Sequence, residues 1–443
     1  MNEKSFGKNF SWRFRFVFGL FLLLALIMLS RIFYIAVIKH DDYAAIAERQ
    51  NRLKKILPAK RGSIFLQDRF GNEKIAAYSS DTYDLAVSPK SMEDPEDTAK
   101  KLAALFSKDT NEYMPKLTKP DDPFEIVEKN VSIEKVDAID AAHIPTLTFL
   151  PSTQRVYPGG RLAASVLGFI GYKENEVTGL YGIERKYQKE MTGTAGIFEG
   201  EKDASGIWVV LGKRNVEEAV NGSDIVLTID YTVQERLQGE LSKVKEKWDA
   251  ESGLAMVLEP KTGRILALAT NPDFDPNEYF KEKNYQVFKN SVVESAYELG
   301  SVMKPVTMSA AINEGVLNPN TSYEDTGEVK IGGYTIQNFD LKAHGIQTMT
   351  QVLEKSLNTG VVFAEKLLGK EKFKKYIMDF GFGSPLGSDI HGELSGNISN
   401  LNFNRDIDYA TASFGQGIAV TPLQMASAVS AIANHGMLMR PYI

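Results

Sequence analysis

The sequence predicts an α+β protein with a membrane-spanning helix near its N-terminus. Three features indicate this fold class: a long apolar stretch at residues 16–38, short strand-like runs that alternate with charged helices over residues 61–221, and a hairpin of two apolar runs that leads into a mostly helical region. An antiparallel sheet flanked by helices is the arrangement that such a pattern favours. We therefore expect helices around an antiparallel sheet in the last region.

Length and composition narrow the classes of function. The chain has 443 residues, which leaves room for roughly two or three domains. Its net charge is -6 and it carries no basic stripe, which argues against a nucleic-acid partner. It has no cysteine, so disulfides, cysteine nucleophiles and thiolate metal sites are excluded. The five histidines show no metal-ligand spacing, which argues against a zinc enzyme. No serine lies in a G-x-S-x-G elbow, which argues against a Ser-His-Asp triad.

The apolar stretch 16–38 is long enough to cross a membrane, which takes about 20 apolar residues. It contains Arg31, whose guanidinium could reach the outer interface. Basic residues precede the stretch and acidic residues follow it: Lys4, Lys8, Arg13 and Arg15 before, Asp41 and Asp42 after. The positive-inside rule then predicts a single-pass protein of the cytoplasmic membrane, with its N-terminus in the cytoplasm. A cleaved signal peptide is the alternative, but no small-x-small cleavage site follows the stretch.

The pattern divides the chain into a tail at 1–15, the anchor at 16–38, a first outer domain at 39–221 and a second at 222–443. After the anchor we expect a helix over 42–56, ended by Pro58. In the second domain a strand at 225–230 precedes a helix at about 232–248. Two apolar strands, 254–258 and 265–269, follow as a hairpin that should be buried on both faces. Loops are expected at 318–338 and 381–406.

The segment that suggests chemistry contains Ser301 and Lys304. A helix is predicted from Val302 to Asn313, and Pro305 is tolerated only in its first turn. Ser301 then lies at the helix start, with Lys304 one turn further on the same face. A serine hydroxyl needs a base to become a nucleophile, and a lysine whose pKa is lowered by burial can be that base. Taken alone, the S-x-x-K pattern is better explained by an ordinary helix N-cap with an exposed lysine one turn later.

A second element, Ser356-Leu357-Asn358, lies about fifty residues downstream. S-x-x-K followed by an S-x-N element is typical of penicillin-binding proteins and related β-lactamases. On its own the tripeptide would fit a polar junction between a helix and a loop. Together the two elements predict a site in which Ser356 and Asn358 supply a second hydroxyl and an amide near the nucleophile.

Three long stretches resemble class B penicillin-binding proteins. They run from Arg155-Val156-Tyr157-Pro158-Gly159 to Gly182-Ile183-Glu184, from the hairpin to Asn271-Pro272-Asp273-Phe274, and from the Ser301 helix to Ser413-Phe414-Gly415-Gln416-Gly417. The resemblance covers nearly the whole chain. It is nearest to the division-type (septal) enzymes, with the elongation type as the alternative. Arg61-Gly62-Ser63-Ile64 and Asp68-Arg69-Phe70-Gly71 resemble a further family motif, here with a wider gap between its halves.

The resemblance implies a role for each residue. The first outer domain would be a pedestal, or dimerisation-like, domain and the second a transpeptidase domain. Ser301 would be the acylated nucleophile and Lys304 its general base, while Ser356 and Asn358 would relay protons and position the substrate. The backbone N–H of Ser301 would form half of an oxyanion hole. The implied enzyme is a serine-type D-Ala-D-Ala transpeptidase that acts on peptidoglycan stem peptides and lipid-linked precursor products and is acylated by β-lactams. The resemblance implies no metal and no organic cofactor.

The family's third motif, Lys-Ser/Thr-Gly, is expected after Ser356 but does not occur there. Lys261-Thr262-Gly263 matches it by letters only, because it precedes Ser301 and falls in the predicted hairpin turn. We therefore expect the sequence to be truncated before the strands that carry this motif, and the chain as given to be inactive.

The resemblance further implies a multispanning SEDS-type glycosyltransferase and division proteins as partners. Two other functions stay open. One is a β-lactamase, which the anchor and the long pedestal disfavour, or a β-lactam sensor, for which the short tail at 1–15 offers no signalling domain. The other is a non-catalytic scaffold of a wall-synthesis complex, which the missing third motif leaves open.

Overall fold

The computed structural model describes residues 6–43, 52–142, 144, 147–174, 176–201 and 215–443. The first five residues of the expected tail, Lys4 among them, lie outside this part. Helix α1, Phe6–Phe33, continues into a single π-helical turn at Tyr34–Ile38. Within the described residues, Phe14–Ile38 is the one helical segment long and apolar enough to cross a membrane, and none of it is buried against the protein. The predicted anchor at 16–38 coincides with this segment.

The strands are β1 Arg52–Leu57, β2 Ile64–Gln67, β3 Glu73–Val87, β4 Glu125–Val131, β5 Leu147–Val156, β6 Ile170–Lys173, β7 Glu176–Gly179, β8 Gly196–Glu201, β9 Asn215–Glu217, β10 Ile225–Asp230, β11 Gly253–Leu258, β12 Ile265–Asn271, β13 Ser322–Asp325, β14 Glu328–Ile331, β15 Tyr334–Gln337 and β16 Gly345–Thr348.

The helices after α1 are α2 Pro95–Phe106, α3 Thr110–Leu117, α4 Ile133–Ala141, α5 Ala164–Leu167, α6 Gly182–Lys186, α7 Gln188–Thr192, α8 Tyr231–Trp248, α9 Ser291–Glu294, α10 Lys304–Asn313, α11 Met349–Glu354, α12 Asn358–Leu368, α13 Lys370–Asp379, α14 Asp406–Ala412 and α15 Pro422–Ala433.

The chain divides into two compact units. The first comprises residues 1–59 and 194–220, and its sheet has the order β1-β8-β9 with antiparallel pairing. The second comprises residues 60–193 and 221–443. Its largest sheet has the order β10-β2-β3-β4, with β5 also paired to the long strand β3. Strand β10 is parallel to β2, while the other pairs are antiparallel.

The second unit is held together by two large apolar cores. One core joins Ile64 of β2 and Leu227 of β10 to Leu268 of β12 and to Phe274. The other lies within the helical region and contains Val306 of α10, together with Val352, Leu357, Phe373 and other residues of the surrounding helices. Because α10 follows Ser301 directly, this second core fixes the helix at whose start the predicted nucleophile lies.

A buried ionic cluster links the Arg61-Gly62-Ser63-Ile64 motif to both ends of the stretch that runs from Arg155 to Glu184. Glu184 is fully buried, and its carboxylate accepts from Arg61 Nε at 2.6 Å and from Arg155 Nε at 2.7 Å. Tyr157 donates its hydroxyl to the same carboxylate at 3.2 Å. A buried carboxylate is tolerated when it is paired and hydrogen-bonded. The cluster therefore ties β5 to α6 and to the segment before β2.

Three local predictions were wrong. Arg52–Leu57 is not helical, because the segment pairs with β8 as a strand, and the remainder of the expected helix at 44–51 lies outside the described residues. The expected loop at 318–338 contains β13, β14 and β15. Strand β12 is largely buried, but β11 is only half-buried along its length because a groove of about 1030 Å³ runs beside it. The hairpin itself, the strand at 225–230 and the following helix are confirmed.

Candidate active site

Ser301 lies in a short 3₁₀ turn, Gly300–Met303, which runs directly into α10. This placement agrees with the prediction that Ser301 marks the start of a helix. The Ser301 side chain is exposed and makes no hydrogen bond to any other described residue. Its backbone N–H belongs to the first turn, where such groups have no partner within a helix. A hydroxyl and an N–H at this position are both available to an incoming carbonyl group.

The backbone around Ser301 is positioned by the segment 415–420. Tyr297 and Val420 exchange both of their N–H···O bonds, at 2.9 and 3.0 Å, and Gly300 N–H donates to Gly415 O at 3.1 Å. Gly415 has a φ of 80°, and a Cβ added there would lie 2.2 Å from Gly300 O. Only glycine allows this approach. The stretch around Gly415 resembled the family in sequence, and this contact gives it a structural role that sequence reasoning did not assign.

Lys304, the first residue of α10, is 2% exposed. Its Nζ donates to Ser356 O at 2.5 Å and to Ser356 Oγ at 2.9 Å. Burial lowers the pKa of Lys304 to about 8. A sizeable fraction of neutral amine is therefore present near neutral pH, as a general base requires. The structure brings Lys304 and Ser356 together, while no described hydrogen bond joins the side chain of either residue to Ser301.

Ser356 adopts a left-handed conformation, with a φ of 55°. It follows the C-terminus of α11 in a Schellman arrangement, in which Leu357 N–H donates to Val352 O at 2.9 Å and Ser356 N–H to Leu353 O at 3.2 Å. Leu357 and Val352 pack in the same apolar core. Glycine usually occupies such a position, and a serine there is strained. In this structure both the carbonyl oxygen and the hydroxyl of Ser356 accept from Lys304.

Asn358 is the first residue of α12, two residues after Ser356. Its Nδ2 donates to Gln337 O at 2.8 Å. The side chain borders a cleft of about 440 Å³ that is also lined by Tyr334, Arg405 and Gln416. The lining of this cleft does not include Ser301, Lys304 or Ser356, so the described contacts do not join Asn358 to the other three predicted site residues.

The Lys261-Thr262-Gly263 tripeptide is a structural turn. It connects β11 with β12, and Gly263 exchanges backbone contacts with the segment 440–442: Tyr442 N–H donates to Gly263 O at 3.0 Å. A Cβ at Gly263 would lie 2.3 Å from Arg440 O. None of the hydrogen bonds described for this turn reaches Ser301, Lys304, Ser356 or Asn358. Within the described ranges, moreover, no three acidic or histidine side chains are grouped to hold a metal ion.

Two family models match the chain. Residues 56–227 match the penicillin-binding protein dimerisation domain, and residues 253–443 match the penicillin binding protein transpeptidase domain. Among curated proteins, stage V sporulation protein D of Bacillus subtilis is 32% identical over 440 residues, which cover 97% of this chain and 66% of that protein. Peptidoglycan D,D-transpeptidase FtsI of Escherichia coli is 27% identical over 433 residues, covering 96% of this chain and 71% of that protein.

Solved structures give the same result. The crystal structure of penicillin binding protein 2X from Streptococcus thermophilus aligns with a TM-score of 0.70 and 28% identity, over 88% of this chain and 60% of that one. The penicillin-binding protein of a complex with MreC from Helicobacter pylori aligns with a TM-score of 0.71 and 20% identity, over 88% and 78% of the respective chains, and shows the shared fold.

The chain spans 66% of the length of the Bacillus subtilis relative. The apolar helix and the relatives together support a single-pass membrane protein. The two matched models leave little of the chain between 56 and 443 unassigned and occur in the order that the sequence predicted. The chain belongs to the class B penicillin-binding proteins.

Proposed function

We propose that this protein is a serine-type peptidoglycan D,D-transpeptidase that cross-links stem peptides during cell-wall synthesis at the division septum. One observation carries the proposal. An exposed serine, Ser301, stands one turn before a buried lysine whose pKa is lowered to about 8 and whose amine contacts Ser356. The septal role is supported by the relative named FtsI and by the resemblance to division-type enzymes.

The chemistry follows from this geometry. Ser301 Oγ attacks the carbonyl of the D-Ala-D-Ala peptide bond while neutral Lys304 accepts its proton, and the Ser301 N–H stabilises the oxyanion. The protonated base then returns a proton, through the Ser356 hydroxyl, to the departing amine of D-Ala. An amine of a neighbouring stem peptide then attacks the acyl-enzyme ester and loses its proton to the same base. The base returns a proton to Ser301 Oγ as the ester C–O bond breaks, which regenerates the serine hydroxyl. Asn358 would orient the donor peptide. β-Lactams would acylate Ser301 in the same way.

Labelling with a fluorescent penicillin tests the proposal in the protein as its own gene encodes it. The wild-type protein should form a covalent adduct that survives denaturation. Ser301→Ala should abolish the adduct, whereas Ser309→Ala, a change on the same helix beyond the first turn, should leave it intact. An adduct of normal intensity in Ser301→Ala would refute the assignment. The same assay separates a transpeptidase from a non-catalytic scaffold, which would not be labelled.

Rapid hydrolysis of the adduct would instead indicate a β-lactamase, because transpeptidases release penicillin slowly.

We further propose a boundary between pedestal and transpeptidase domains at 221/222, close to the end of the dimerisation-domain match at residue 227. The proposed partners are stem peptides, a SEDS-type glycosyltransferase and other division proteins.

The proposed topology places the N-terminus in the cytoplasm. Basic residues before the span and acidic residues after it support this orientation: Lys8, Arg13 and Arg15 before, Asp41 and Asp42 after. Protease added outside spheroplasts should digest the protein beyond about residue 40. Protection of both domains would reverse the topology.

A further inference from the structure

The residue of interest is Asp325, the last residue of β13, which is 1% exposed. Its carboxylate accepts four hydrogen bonds. Oδ1 receives the Thr359 hydroxyl at 2.8 Å and Gly327 N–H at 3.0 Å. Oδ2 receives Asn338 Nδ2 at 2.8 Å and His344 N–H at 3.1 Å. No lysine, arginine or histidine side chain of the described part of the chain pairs with it.

Two of these partners, Thr359 and Asn338, belong to or contact the first turn of α12, the helix that begins with Asn358. Helix α12 starts at Asn358, and the residue before it, Leu357, offers no side-chain cap. Asn338 supplies the missing acceptor, since its Oδ1 receives Thr359 N–H at 3.3 Å and the Thr359 hydroxyl lies 3.1 Å from it. The first turn of α12 is therefore capped from outside by a side chain that Asp325 itself holds.

Asn358 is held by the residue next to Asn338. Its Nδ2 donates to the backbone oxygen of Gln337, the last residue of β15 and the neighbour of Asn338. The first two residues of α12 are thus bound to two consecutive residues at the end of one strand. Any displacement of Asn338 would move both contacts together, and with them the side chain of Asn358.

The ionised state of Asp325 is maintained by its partners. Burial alone would raise the pKa of Asp325, but the hydrogen bonds from Gly327, Thr359, Asn338 and His344 outweigh it and hold the pKa below its ordinary value. Burying a carboxylate without a cation is costly, and apolar side chains could join strand and helix at lower cost. A carboxylate with four directed hydrogen bonds fixes orientation in addition to contact.

We propose that Asp325 is a positioning residue for acylation: through Thr359 and Asn338 it fixes the first turn of α12 and thereby the direction of the Asn358 amide. This inference rests on the proposed function, since it assigns a task within the same site. Asp325 does not touch the substrate in this account. It acts only through Asn358. An effect of Asp325 on acylation should therefore disappear when Asn358 is removed, whereas a general effect on folding would remain.

A double-mutant cycle tests the inference, with the second-order rate constant of acylation by a fluorescent penicillin as the measurement. Thr359→Val keeps the shape but removes the hydroxyl that Asp325 accepts. It should lower the rate constant roughly 10- to 100-fold, because small misplacements of a positioning group cost this much. Thr359→Ser, which restores the hydroxyl, should recover most of the rate. In an Asn358→Ala background, Thr359→Val should add little further loss.

Tyr323→Phe is the matched control, because the Tyr323 hydroxyl lies 3.1 Å from that of Thr359 but is not among the four donors that the Asp325 carboxylate accepts from. It should leave the rate constant nearly unchanged. If Thr359→Val does not fold, Asp325→Asn replaces it in the same cycle. Equal losses in both backgrounds, or an unaffected Thr359→Val, would overturn the inference while penicillin labelling of the wild type upholds the proposed function. An unlabelled wild type would overturn both.

Discussion

The pH dependence of acylation follows directly from the environment of Lys304. The pKa of this buried lysine is lowered to about 8, and only its neutral form can accept the proton of Ser301. With a pKa of about 8, about a tenth of Lys304 is neutral at pH 7 and about nine tenths at pH 9. The rate constant for acylation should therefore rise about tenfold between pH 7 and 9 and level off above pH 9.

The assay is the second-order rate constant of acylation by a fluorescent penicillin between pH 6 and 10, at low drug concentration, so that the profile reports the free enzyme. Lys304→Arg is the control, because its guanidinium stays protonated throughout and should leave a slow rate without an inflection near 8. A lysine with its ordinary pKa near 10.4 would instead give a rate that is still rising about tenfold per pH unit at pH 9. That result, or a flat profile, would contradict Lys304 as the base.

Four substitutions at three positions test the local geometry. Ser356→Gly and Ser356→Ala should both impair acylation. The glycine variant should be more stable than the alanine variant by about 1 kcal/mol, because glycine adopts the left-handed conformation without strain, although it also gives the unfolded chain more freedom. Thermal melts of the two variants measure the difference. Glu184→Gln should lower the melting temperature markedly, since breaking a buried ion pair costs about 3–5 kcal/mol. Gly415→Ala should lower the rate of penicillin acylation at least tenfold, because the new Cβ displaces Gly300 and so misplaces Ser301. The contacts of Lys304 should be unchanged.

The sequence was informative wherever structure depends on neighbouring residues. The anchor, the apolar hairpin and the start of α10 were predicted because apolar periodicity, turn residues and a first-turn proline act locally. Ser301 and Lys304 could be placed for the same reason. The strand at Arg52–Leu57 was mistaken for a helix because its conformation is set by pairing with β8, more than a hundred residues away in sequence.

The rest of the site depends on contacts between distant residues. Asp325 accepts a hydrogen bond from Thr359, which lies 34 positions further along the chain, and nothing in the residues around Asp325 indicates that partner. The left-handed conformation of Ser356 could likewise not be predicted from the sequence, because no glycine follows the end of α11. The roles of Ser301, Lys304, Ser356 and Asn358 in catalysis stay predictions, although the structure places Lys304 against Ser356 and Asn358 beside the cleft.

The most direct test of the account is to locate the acyl group itself. The protein, produced from its own gene, is incubated with benzylpenicillin, digested, and its peptides are analysed by tandem mass spectrometry. We predict one penicilloyl adduct, on the peptide that contains Ser301, with fragment ions that assign it to that side chain. An adduct on Ser356 or on any other serine, or none at all, would contradict the assignment of Ser301 as the nucleophile.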